Sequence, residues 1–147
     1  MHTRRHEEET EPPPERRIRF PLPPHPIAAE QARIITRITL TDWTIADIID
    51  SALIITTELV ANALKLGDVF HLSLSQQGGG VLIEVRDSSE APPDRRRPSS
   101  ERVDGRGLLL VEACAKDWGW RLEDQGGKTI WAVIDAAPEG HGDAQRR

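Results

Sequence analysis

At Gly67 the apolar residues change period, and that change constrains the fold more than any other feature of the chain. Before it, Ile45, Ile48, Ile49, Ala52, Leu59 and Ala63 recur at three- and four-residue steps. This is the stripe of a helix that begins near Thr44 and docks on something flat and apolar. After it, Phe70, Leu72 and Leu74 alternate with other residues, and so do Val81, Ile83 and Val85. These two runs read as strands, and Gln76-Gln77-Gly78-Gly79-Gly80 between them reads as a hairpin turn. Gly67 is well placed to end the helix.

The remaining segments extend this pattern. Arg17 and Arg19 alternate with Ile18 and Phe20 in an edge strand over 16–20, and Pro21 to Pro26 then forces an extended turn. From Ile27 to about Leu40, Ile27, Ala28, Ala32, Ile35 and Ile38 suit a first amphipathic helix. Thr41-Asp42-Trp43-Thr44 is a polar connector offering N-cap residues to the central helix. Leu108 to Ala115 reads as a third helix opening on Gly105-Arg106-Gly107. Trp118, Trp120 and Leu122 alternate as a strand, Gly126-Gly127 turns the chain, and Ile130/Ala132/Ile134 alternate with Thr129/Trp131/Val133. The order is strand, two helices, hairpin, loop, helix, hairpin. It predicts an α/β two-layer sandwich: a mixed, mainly antiparallel sheet with helices packed on one face.

Composition sets the limits of the domain. A length of 147 residues suits one domain, assigned to 16–136. Residues 1–15 are polar, mixed in charge and end near three prolines, so a disordered arm is expected; 137–147 is a second loose tail. Residues 88–104 are rich in Pro, Ser and Arg with no apolar face, and a loop of that length in a compact domain is expected to be a functional lid. Arg95-Arg96-Arg97 within it could meet a phosphate or an acidic partner, though solvated charge explains it better. The net charge of −5 argues against non-specific binding to a phosphate backbone as the main role. One cysteine, Cys114, forms no internal disulfide; it fits a reducing compartment and is expected to be packed. The N-terminus does not read as a secretory signal. Asp47, Asp50, Glu58, Asn62 and Lys65 interrupt the best apolar run, Ile45 to Leu66, so it does not read as a membrane span. A soluble, cytoplasmic protein is the expectation.

Several residue groups carry candidate chemistry. Glu58 and Asn62 are one helical turn apart and project from one face, about 6 Å from each other. Asn62 can offer an oxygen to a hard cation such as Mg²⁺, while Glu58 orients or deprotonates a hydroxyl. Taken alone, a solvated helix edge explains the pair better. Asp87 ends an apolar strand and can accept a hydrogen bond from an exocyclic amine such as that of adenine, though a strand-end turn former accounts for it too. Gly105-Arg106-Gly107 before a helix lets backbone N–H groups approach phosphates, and a tight turn explains it equally. Thr129 reads as a hydroxyl supporting a base held by Asp87, or as a plain β-former. Gly126-Gly127-Lys128-Thr129 resembles the end of a Walker loop, but Leu122 stands where its first glycine is required and a strand follows, which excludes that loop.

These elements come in one order: Glu-x-x-x-Asn-Ala on a helix, Asp ending a strand, a loop, Gly-x-Gly opening a helix, Gly-Lys-Thr entering a strand. In that order the chain resembles the GHKL ATP-binding superfamily with its Bergerat fold. Within it the chain looks most like the anti-sigma-factor serine/threonine kinases and their stand-alone actinobacterial relatives. The resemblance covers roughly Arg16 to Asp135; Glu58–Leu66 and Gly105–Glu112 are its most specific parts, and Gly126–Trp131 supports them.

The resemblance implies ATP and Mg²⁺ as ligands. It implies Glu58 as general base, Asn62 as Mg²⁺ ligand and Asp87 as adenine-binding carboxylate. Gly105 and Gly107, with Arg106 between them, match the phosphate-binding segment, and Thr129 the adenine-supporting hydroxyl. The partners implied are an anti-sigma-factor antagonist, phosphorylated on serine or threonine, and a sigma factor bound in its absence. Neither direct nucleic-acid nor membrane binding is expected, and a homodimer is left open. Two departures stand out. Asp87-Ser88-Ser89-Glu90-Ala91 replaces the superfamily's Asp-x-Gly-x-Gly, and Leu66 stands where the stand-alone relatives often have histidine. A kinase and a non-catalytic, nucleotide-gated module that sequesters a sigma factor or other regulator therefore both remain open.

Overall fold

Alternating sequence becomes one sheet in the computed structural model, which describes residues 16–93 and 107–136. The strands are β1 (Arg17–Leu22), β2 (Phe70–Gln77), β3 (Gly80–Asp87), β4 (Asp117–Leu122) and β5 (Lys128–Ile134). Their spatial order is β1-β2-β3-β5-β4, and all four pairings are antiparallel. The expected mixed sheet is thus corrected to an antiparallel one. β3 and β4 do run in the same direction, but β5 lies between them, so they never pair.

Three helices cover one face: α1 (Ile27–Asp42), α2 (Ile49–Leu64) and α3 (Gly107–Cys114). α2 is central, packed between α1 and α3 and over β3. The α/β two-layer sandwich follows from the strand parity. Phe70, Leu72, Leu74, Val81, Ile83, Val85, Ile130 and Ala132 all point into the helix layer and are buried. Ile55, Leu59 and Ala63 of α2, Ala28, Ala32 and Leu40 of α1, and Val111 of α3 complete the core. Where α1 meets α2, the buried hydroxyls of Thr36 and Thr56 share a hydrogen bond of 3.3 Å.

Three boundaries differ from the sequence expectation. β1 runs through Pro21 to Leu22 rather than stopping at Phe20. An edge strand tolerates proline because one of its sides needs no N–H, and Leu22 is drawn into the core at 3% exposure. α1 continues to Asp42 because Leu40 and Trp43 are both core residues. Residues 41–44 therefore close α1 instead of capping α2: Trp43 N–H donates to Thr39 O at 2.9 Å, and Thr44 turns the chain at φ +62°. A 3₁₀ turn, Ala46–Ile48, then leads into α2, which has no side-chain N-cap. The other end of α2 matches the expectation: Gly67 sits at φ +76° with its N–H donating to Leu64 O.

The expected arm and tail, most of the expected lid, and Arg95 to Arg97 lie outside the described residues. Among the described residues no helix is long and apolar enough to cross a membrane. Cys114 is a free thiol, partly buried against the core.

Candidate functional site

The topology gathers several candidate residues at one end of the sheet. β2 starts at Phe70 shortly after α2 ends, and its His71 pairs with Arg86, one residue before β3 ends at Asp87. β5 starts at Lys128, directly opposite Asp87. The last turns of α2, the end of β3 and the start of β5 therefore share that end. A hydrogen bond between the two loops ties them together: Ser88 Oγ donates to Asp68 Oδ2 at 2.8 Å. Glu58 and Asn62 lie on successive turns of α2 toward this end, both half-buried. Gly107 opens α3, whose other end leads to the far end of the sheet, where Lys116 N–H donates to Val133 O at 2.8 Å. Gly105 and Arg106 lie outside the described residues.

Asp87 continues the inward phase of Val81, Ile83 and Val85 and is itself buried. The Lys128 ammonium donates to its Oδ1 at 3.1 Å and stands 3.0 Å from its Oδ2. Ser89 N–H also donates to Oδ1, at 2.9 Å. Oδ2 is different: it is buried, close to positive charge, and receives no directed hydrogen bond. The proximity to Lys128 neutralises the charge, yet the ammonium lies off the direction a hydrogen bond to that oxygen requires. A buried acceptor in this state is costly and calls for an explanation.

Thr129 does not stand beside Asp87, which corrects the expectation that its hydroxyl supports a base there. It pairs with Arg86 and points to the opposite, helix-free face, where its Oγ1 donates to Glu123 Oε2. The β5 side chain that reaches Asp87 is Lys128. The sequence held the signal: Lys128 is in phase with Ile130, Ala132 and Ile134, and Thr129 is out of phase.

The glycines before β5 have a structural reason. Gly126 and Gly127 sit at φ +99° and +84°, and a Cβ on Gly127 would come 2.2 Å from Asp87 O. The backbone at the start of β5 therefore lies against the end of β3, which leaves room for no side chain at 127.

Beyond Asp87 the chain is shaped by hydrogen bonds from backbone N–H groups to side chains. Ser89 N–H caps back to Asp87 Oδ1, and Ala91 N–H donates to Ser89 Oγ at 3.0 Å. These are consecutive Asx and Ser turns.

On the helix-free face a charged layer covers the same end. Arg121 bridges Glu84 at 2.9 Å and Glu123 at 3.3 Å, and Arg86 donates to Gly126 O at 2.8 Å. A cleft of about 490 Å³ is lined there by Arg19, His71, Arg86, Asp87, Glu90 and Gly127 among others. Burial, then the positive charges of Arg19 and Arg86, hold the His71 imidazole below its ordinary pKa.

Among the described residues no three His, Cys, Asp or Glu side chains converge to hold a metal ion. A Mg²⁺ site of the kind implied for Asn62 needs no such cage, because Mg²⁺ usually takes one or two protein ligands together with substrate phosphates and waters. No family model matches the chain, and no curated protein matches it.

Proposed function

We propose that the chain is an ATP-binding regulatory protein that transfers phosphate to a serine or threonine of a partner, in the manner of the anti-sigma-factor kinases it resembles. One observation carries this reading. The buried Asp87 keeps an oxygen without a donor at the end of the sheet toward which Glu58 and Asn62 lie. An exocyclic amine, as on adenine, supplies the missing donor.

In this reading Asp87 fixes the base and the N-terminus of α3 faces the phosphates. Asn62 offers its carboxamide oxygen to Mg²⁺, which when bound neutralises phosphate charge. Glu58 takes or orients the proton of the incoming hydroxyl as the phosphoryl group moves from the ADP oxygen to the serine or threonine oxygen. The partner is an anti-sigma-factor antagonist, and a sigma factor is the second partner. A cytoplasmic setting belongs to the same reading.

A second reading, a non-catalytic nucleotide-gated module, is supported by the side-chain turns at Asp87 and Ser89. They stiffen the start of the loop where glycines would leave it free. One experiment separates the two: single-turnover transfer from labelled ATP to a co-purified antagonist, wild type against Glu58→Gln. The kinase reading expects retained nucleotide affinity and transfer slowed by about 10²–10⁴-fold. A wild-type chain that binds its partner without ever phosphorylating it is a binder.

A further inference from the structure

The Asp87–Lys128 pair has more hydrogen-bonding capacity than it uses. An ammonium carries three donors. Among the described residues Lys128 gives one of them to Asp87 Oδ1. Beside it, 3.0 Å away, Asp87 Oδ2 is an acceptor without a donor. Both side chains are nearly excluded from water, at 4% and 2% exposure, so water does little to complete either. Spare donor capacity on Lys128 and a carboxylate oxygen that receives no directed hydrogen bond thus lie side by side at the end of the sheet.

A purely structural staple explains this poorly. Asp87 and Lys128 are already cross-strand partners in the β3–β5 ladder, so the strands need no further tie. A buried ion pair is often no more stabilising than apolar side chains of the same volume. The core neighbours in phase with the pair, Val85 and Ile130, are apolar and 1% exposed. A charged pair held there, and left incompletely satisfied, is better matched to a ligand edge that completes it.

We propose that Lys128 is a second base-reading residue. Its ammonium donates to ring nitrogen N1 of an adenine whose 6-amino group donates to Asp87 Oδ2. This assignment rests on the nucleotide-binding reading above. The Watson–Crick edge of adenine presents a donor, the 6-amino group, directly beside an acceptor, N1. Asp87 alone can satisfy only the first.

The test is titration calorimetry on the full chain with three ligands: ADP, its 1-deaza analogue, in which C–H replaces N1, and purine riboside diphosphate, which lacks the 6-amino group. Wild type should bind the 1-deaza analogue about ten- to a hundredfold more weakly than ADP, the scale of a lost hydrogen bond to a charged group. The amine-free analogue should lose a similar factor through Asp87. Equal affinity for ADP and 1-deaza-ADP overturns the Lys128 assignment while the nucleotide reading stands. Failure of all three to bind overturns both. Because Lys128→Met alone strands a buried carboxylate, the matched variant is D87N/K128M, which buries no charge and keeps an oxygen for the amine. It should bind ADP and 1-deaza-ADP alike, and discrimination surviving in it would place the N1 contact elsewhere.

Discussion

Lys128 Nζ stands 3.0 Å from Asp87 Oδ2 and 3.1 Å from Oδ1, joining the first residue of β5 to the last of β3 inside the protein. Removing one partner of such a pair is far worse than removing both, because the remaining charge has no water to solvate it. Lys128→Met should destabilise the fold by about 3–5 kcal/mol. D87N/K128M should recover most of that loss. Urea unfolding of the two variants checks the order; equal midpoints for Lys128→Met and wild type would show the pair uncoupled from stability.

Two glycines with similar dihedral angles should respond differently to alanine. Gly67 has φ +76° and open space where a methyl group would go, so Gly67→Ala should cost only the left-handed conformation, roughly 1–2 kcal/mol. Gly127 has φ +84° and Asp87 O 2.2 Å from where its Cβ would lie. Gly127→Ala must shift the start of β5 as well, and its thermal midpoint should fall well below that of Gly67→Ala.

His71 gives a pH signature. Its folded pKa is lowered by burial, Arg19 and Arg86, so near and below pH 6.5 the unfolded chain binds its proton more readily than the folded one. The sign follows: stability is retained above the unfolded pKa and lost as pH falls through it toward the folded value. His71→Gln should flatten this part of the stability–pH curve. Unfolding measured from pH 7.5 downward tests it, and an unchanged slope would assign the acid sensitivity to other groups.

Asn62→Ala should weaken Mg·ATP by about tenfold, the scale of one lost charge-assisted contact, while adenosine affinity changes little. Asn62→Asp should alter the metal dependence of ATP binding. Calorimetry with and without Mg²⁺ reads both, and equal losses for ATP and adenosine would leave Asn62 a structural residue.

Much of the fold was legible in local sequence. The inward faces of β2 and β3 were legible from alternation alone, because successive strand side chains point to opposite faces whatever the neighbouring strand does. Gly67 and Gly126-Gly127 marked turns for an equally local reason: each adopts a positive φ that other residues adopt at a cost. The helix boundary near Thr41 was not legible. Leu40 and Trp43 are held by a core assembled from distant segments, and that burial outweighs the capping preference of Thr41 and Asp42.

The site divides along the same line. Local pattern is enough to put a carboxylate at the end of one strand, Glu58 and Asn62 on one helix face, and Lys128 and Thr129 on opposite faces of β5. That Lys128 faces Asp87 across the β3–β5 register, and that β5 lies between β3 and β4, came from the assembled sheet alone. Side-chain parity repeats every two residues and can be read from one strand. Cross-strand register is set by contacts between segments forty residues apart, |i−j| being 41 for this pair, and no local period encodes it.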